Sequence, residues 1–143
     1  MEPEVIQHGS EKYAQACELR EIILRKPLKL RLLDEDLRSE SEYHHYGIWD
    51  GEMIAACLVA VPHTDALVQI RQMAVAECHQ SKGIGKNLIQ FAEQELRTKG
   101  FTQVFLHARK EAVLFYRKLG YQSAGSEFIE ISIPHLKMEK NLP

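Results

Sequence analysis

Apolar residues along this chain follow two patterns, one repeating every three to four positions and one of short near-continuous runs. Tyr13, Ala16, Leu19 and Ile23 repeat at helical spacing between Ser10, a suitable N-cap, and Pro27. Ile84, Leu88, Ala92 and Leu96 recur every fourth position up to Gly100, which predicts an amphipathic helix. Ala112, Phe115, Tyr116 and Leu119 predict another before Gly120. Two apolar runs, residues 46–49 and 53–61, flank Asp50 and Gly51 and predict a tight hairpin ended by Pro62. Further strands are expected at residues 5–8, 66–75, 102–108 and, after Pro134, 136–138, with the chain extended from Tyr121 onward. The strand at 66–75 has no cleanly apolar face, because Leu67, Gln69, Arg71 and Met73 alternate with Val68, Ile70 and Gln72. The acidic stretch 34–42 reads as a short helix or ordered loop. A helical region, a run of strands, then strand, helix, strand, helix, strand is the order of a mixed α/β layer with helices packed on a sheet.

Length and composition narrow the class. The 143 residues suit one domain over 1–143, and 45% hydrophobic with 27% charged residues is ordinary for a soluble globular protein. Cys17, Cys57 and Cys78 are odd in number and widely spaced, which fits a reducing, cytoplasmic setting and no disulfide framework. The histidines and cysteines lack HxxxH or CxxC spacing, so no metal is expected. No run suits a signal peptide or a membrane span.

Charge adds one feature. The formal net charge is -2, which speaks against nucleic-acid binding. Residues 80–120 are nonetheless basic, with Lys82, Lys86, Arg97, Lys99, Arg109, Lys110, Arg117 and Lys118 against Glu93, Glu95 and Glu111. That excess suits a small anionic ligand, and equally suits solvated helix faces.

Within this segment, Gln80, Ser81, Lys82, Gly83, Ile84, Gly85 and Lys86 join a strand to a helix. Glycines let the backbone turn tightly and approach a ligand, and a helix start offers free N–H groups and partial positive charge. A Walker loop needs an earlier glycine and Ser or Thr where Asn87 stands; a dinucleotide fingerprint needs glycine where Leu88 stands. A Q/R-x-x-G-x-G/A loop is satisfied by Gln80, Gly83 and Gly85, and a plain strand-to-helix turn would look the same.

Read with its neighbours, the loop says more. Residues 72–75, the loop, the amphipathic helix, residues 106–109 and residues 115–121 occur in an order and spacing that resemble the GNAT superfamily of acyl-CoA N-acyltransferases. The resemblance covers about residues 66–121; Glu130, Ile133, Pro134 and His135 resemble a tail of small bacterial members, as does Leu30 with residues 25–28 before it. It implies a central mixed, mostly antiparallel sheet with splayed central strands and helices on both faces. It implies acetyl-CoA as cosubstrate, with Met73, Ala74 and Val75 along the pantetheine arm, the N–H groups of residues 80–86 on the pyrophosphate, and Phe115, Tyr116 and Lys118 beside the cofactor. Arg109 stands where many relatives have Asn, and replaces that contact or binds a phosphate. Gln69 stands where the histone-acetylating branch has its basic Glu, and cannot serve as that base.

The implied reaction is attack of an amine on the thioester through a tetrahedral intermediate. Tyr116 matches the residue that protonates the departing thiolate in many relatives; from the pattern alone it is equally a core residue beside Ala112, Phe115 and Leu119. The base is open among His44, His45, His107, His135 and a water relay; His44 and His45 read as exposed, His107 as a hydrogen-bonded sheet residue. Glu130 with His135 is a candidate pair for the acceptor end. The acceptor is a small-molecule or peptide amine, and a homodimer is admitted. The alternatives are a non-catalytic CoA-binding module on this fold, and a nucleic-acid or protein adaptor using the basic segment.

Overall fold

The computed structural model describes residues 1–32 and 35–143. Its strands are β1 (Pro3–Ile6), β2 (His44–Asp50), β3 (Met53–Pro62), β4 (Leu67–Val75), β5 (Gln103–Arg109), β6 (Gln122–Ser123), β7 (Phe128–Glu130) and β8 (Ile133–Asn141). They form one sheet in the order β1-β2-β3-β4-β5-β8-β6, with β7 also on β8. All pairs are antiparallel except β4 with β5. The helices are α1 (Glu11–Arg20), α2 (Ile84–Thr98) and α3 (Val113–Lys118).

Two apolar clusters lie on opposite faces of the sheet. Leu88, Ile89, Ala92 and Leu96 of α2, with Val113 and Tyr116 of α3, pack on Tyr46, Ile48, Leu58, Val68, Val104 and Leu106. Ala16 and Leu19 of α1 pack on Ile6, Trp49, Cys57 and Ala74. Because β3 is covered on both sides, it is buried continuously from Ala55 to Val61 and reads as an apolar run rather than an alternation.

The uneven pattern of residues 66–75 has a structural cause. Val68 and Ile70 face the α2 cluster, but further along Met73 and Val75 pack against it while Ala74 faces α1. The parity flips in between. Pairing with β3 shifts between Val59↔Arg71 and Cys57↔Ala74, so two residues of β4 oppose one of β3. This β-bulge puts Gln72 at φ +55, a left-handed conformation uncommon for a residue other than glycine. Pairing of β4 with β5 stops just before it, at Ile70↔Leu106, although both strands run on. The central strands therefore part, and the β5-facing edge of β4 after Ile70 has no strand partner.

Some expected elements move. The first strand is Pro3–Ile6, because Gln7 and Ser10 close a turn: Ser10 N donates to the Gln7 carbonyl at 3.1 Å and Ser10 Oγ accepts from Tyr13 N at 3.1 Å. The first helix is α-helical to Arg20, then passes through a π turn (Glu21–Arg25) and a 3-10 turn (Lys26–Leu28) that takes up Pro27. The stretch 34–42 holds a 3-10 turn (Arg38–Glu42); Asp34 lies outside the described residues. β8 begins before Pro134, which pairs with Ile129 of the β7 hairpin. His44 and His45 lie within β2, and His45 is buried rather than exposed.

Candidate active site

Where β4 and β5 part, a cleft of about 790 Å³ opens. Its walls come from both strands, from residues 23–31 after α1, from Tyr116 of α3, and from Glu130, Ile131 and His135 of the β7–β8 hairpin. Met73 on its lining lies against Gly85 of α2, and Lys29, Leu30 and Arg31 line it from the turn after α1.

On the α2 side the loop is built by its backbone. Ser81 and Gly83 take φ +62 and +77, which curls the chain into α2. Gly83 is the N-cap and offers no side chain, so the first N–H groups of α2 have no side-chain cap. Gly85 is there for space: a Cβ would stand 3.2 Å from Met73 Cε and 3.5 Å from Phe115 Cζ. That proximity gathers β4, the loop and α3 at one point. Gln80 Nε2 donates to the Val75 carbonyl at 3.0 Å, so its side chain ties the loop to the end of β4. Buried His79 adds a second tie, its Nε2 lying 3.1 Å from Asp50 Oδ2 in the β2–β3 turn. Ile84 is buried as the first residue of α2, while Lys82, Lys86 and Lys118 are exposed. These features fit a phosphate-bearing thioester: uncapped N–H groups for the phosphates, and the bare edge of Met73, Ala74 and Val75 for an amide-containing arm. Ala74 is buried against α1, so only its backbone can face that arm.

Tyr116 is 8% exposed and borders the cleft. Burial pushes its phenol up to about 12, so it is a neutral proton donor near pH 7. Phe115 and Tyr121 meet its ring edge-on at 5.0 and 5.8 Å. Tyr116 thus packs in the core, as its stripe led one to expect, while bordering the cleft.

On the α1 side the cleft is built from side chains. Phe105 and His107 alternate with Val104, Leu106 and Ala108 and point away from α2. His107 Nδ1 lies 2.9 Å from Glu130 Oε2, and Phe128 packs edge-on against the His107 ring at 5.0 Å. The structure thus pairs Glu130 with His107, not with His135. His135 is buried beside them, its Nδ1 bonded to the Ile133 carbonyl at 2.7 Å, opposite Arg109 in the β5–β8 ladder. Gln69 Oε1 accepts from His63 Nε2 at 2.9 Å. Arg25, buried, bridges Glu35 at 2.5 Å and donates to Gln72 Oε1 at 2.8 Å, which fastens the turn after α1 to the bulge. Behind it, Arg20 and Glu40 form a buried bidentate pair, both bonds 2.8 Å, joined by Tyr13 Oη at 2.7 Å.

The sequence reading missed the His107–Glu130 pair, the bulge at Gln72 and the Arg25 tie. Only the broken alternation of residues 66–75 carried a hint of any of them.

A family model described as an acetyltransferase (GNAT) domain matches residues 10–142. The chain belongs to the GNAT acetyltransferase family. GNAT enzymes move an acyl group from coenzyme A to an amine, which this chain's family membership assigns to it in that general form. It is 29% identical to YjcF of Bacillus subtilis (strain 168), an uncharacterized N-acetyltransferase, over 96% of this chain and 98% of that one. Three other curated relatives are matched over only about half of their own length. The fold matches that of an acyl-CoA N-acyltransferase from Pseudomonas aeruginosa, TM-score 0.80 at 22% identity over 97% of this chain and 98% of that one. It also matches an aminoglycoside 6'-N-acetyltransferase complexed with coenzyme A, TM-score 0.83 at 15% identity over 100% and 98%. The parted strands and the α2 loop of this chain are the GNAT elements that the sequence resemblance led one to expect. No described helix is long and apolar enough to cross a membrane.

Proposed function

We propose that this protein transfers the acetyl group of acetyl-CoA to an amine of a small molecule or peptide. The observation that carries this reading is the cleft at the parting of β4 and β5, lined by the His107–Glu130 pair and by Met73, whose side chain lies against Gly85 in the uncapped first turn of α2. Acetyl-CoA lies with its pyrophosphate at residues 80–86 and its arm along Met73, Ala74 and Val75; Phe115 and Lys118 flank it, and Arg109 closes the β5 side. A fold neighbour captured with coenzyme A supports that choice of donor.

In this arrangement an amine enters from the α1 side and attacks the thioester carbonyl. His107, oriented by Glu130, takes the proton that the amine must lose. A backbone N–H of the β4 edge near Ala74 or Val75 receives the developing oxyanion, and Tyr116 protonates the departing thiolate. His135, 5% exposed, lines the acceptor wall.

The test is thiol release from acetyl-CoA with a panel of amines, beside calorimetric titration of acetyl-CoA. Saturable binding with amine-dependent release is expected. Tight binding with no release for any amine would leave a CoA-binding module instead, and absence of binding would remove both.

A further inference from the structure

The charges on the cleft wall are unequal. Among the described residues five cations line it, Arg25, Lys29, Arg31, Arg71 and Arg109, against the two carboxylates Glu35 and Glu130. Both carboxylates are already engaged, Glu35 by Arg25 and Glu130 by His107. Among the described residues Lys29, Arg31 and Arg71 form no salt bridge. None of them belongs to the phosphate loop, whose own cations Lys82 and Lys86 lie outside the cleft lining. Lys29 and Arg31 come from the turn after α1, and Arg71 from the strand position before the bulge, on the face that carries Gln69 and His107. The pantetheine arm is uncharged, so these three positive charges surround the space left for the acceptor.

A cleft with surplus positive charge repels an alkylammonium ion, and the more so a polycation. An acceptor that brings its own anionic group reverses that balance and can accept hydrogen bonds from the guanidinium groups of Arg31 and Arg71. Ile23, Leu24, Leu30 and Ile131 add apolar wall beside the cations. We infer that the acceptor is an amine bearing a carboxylate or phosphate, held by Arg71 with Arg31 and Lys29, and that polyamines and aminoglycosides are disfavoured despite the shared fold with an aminoglycoside-acetylating enzyme. This inference rests on the acetyl-transfer reading. It also gives the surplus charge a role in the chemistry, since nearby cations favour the neutral, attacking form of the amine.

The experiment compares matched acceptors with the intact protein and acetyl-CoA. Amino acids are set against their amides, phosphoethanolamine against ethanolamine, and spermidine and kanamycin serve as polycations. An amino acid amide holds more free amine near pH 7 than its acid, so a preference for the acid runs against intrinsic reactivity. The anionic member of at least one pair is expected to give kcat/KM higher by about tenfold or more, as one charge-assisted contact supplies. Which pair shows it separates carboxylate from phosphate recognition. Arg71→Gln should raise the acceptor KM about ten- to hundredfold and abolish the preference, with the KM for acetyl-CoA unmoved and Arg71→Lys restoring part. Arg31→Gln, outside any strand, gives a second reading if Arg71→Gln melts early. Calorimetric titration of the same pairs into the CoA-loaded protein reads the preference without turnover. Anion-selective binding without thiol release would sink the transfer reading alone. Best turnover with spermidine or kanamycin, equal binding or no binding within every pair, or unchanged acceptor KM in both variants would overturn this one.

Discussion

On the α2 face, the proposed phosphate loop is one contiguous stretch shaped by its backbone: Ser81 and Gly83 set the curl, and Gly85 keeps it close to Met73 and Phe115. On the α1 face, the wall is assembled from side chains far apart in the chain, Arg25 on Gln72 and His107 on Glu130. The first kind of site suits a ligand that is always the same, because N–H groups at a helix start recognise phosphate whatever side chains surround them. The second kind can be altered one side chain at a time without touching the first. A family that keeps its donor and varies its acceptor is served by this division.

The sharpest way to break the comparison is to attack what holds the α1 face. Glu40→Gln leaves Arg20, only 1% exposed, without its counter-charge. Removing one partner of a buried pair costs about 3–5 kcal/mol, and denaturant unfolding should show a loss of that order. A loss well below 1 kcal/mol would mean that the α1 wall does not depend on this pair.

Next come the two residues assigned to the chemistry. Tyr116→Phe keeps the ring against Phe115 and Tyr121 and removes the hydroxyl; kcat should fall about 10²-fold with acetyl-CoA affinity unchanged. His107→Ala should lower kcat by a similar factor, about 10²-fold, while Tyr116→Phe alone leaves the acceptor KM untouched. Near-normal turnover in either variant would return that residue to packing.

Gly85→Val tests the α2 face. Its Cβ would meet Met73 and Phe115, and relieving such overpacking costs about 1–3 kcal/mol. If the loop is the phosphate site, acetyl-CoA affinity should drop by about ten- to hundredfold, measured by calorimetry with the melting curve as control. Unchanged affinity would place the phosphates elsewhere.

The smallest effect is pH-dependent stability of the α1 face. Burial pushes His45 below its ordinary value of 6.5, partly offset by its hydrogen bond to the Glu40 carbonyl. The unfolded chain then takes up a proton that the folded chain resists, so stability is complete above about pH 6.5 and falls as pH drops below it. Glu40 is also lowered: burial raises it but its bonds to Arg20 and Tyr13 lower it more, so its carboxylate stays charged until the pH falls below its ordinary 4.5. Between pH 7.5 and 5.5 the melting temperature should therefore fall by a few degrees through histidine, at most about 1.4 kcal/mol per pH unit for one group. His45→Gln should flatten that slope, and an unchanged slope would move its origin to another group.

Much of this was written locally. The helical repeats of α1, α2 and α3, the Asp50–Gly51 hairpin and the spacing of Gln80, Gly83 and Gly85 depend on neighbours within a turn or two, so sequence alone determined them, and with them the family and the loop proposed for the phosphates. Tertiary structure decided the rest. The bulge at Gln72 falls where β4 stays paired with β3 while leaving β5, and it reassigns which residues of β4 face which cluster. Glu130 of β7 meets His107 of β5 across β8, which lies between the two strands, an arrangement that no local pattern encodes. Arg20 reaches Glu40, and Arg25 reaches Gln72, across 20 and 47 residues of chain. Long polar side chains carry no periodicity that announces a partner, so the wall proposed for the acceptor took shape only once the sheet had brought its pieces together.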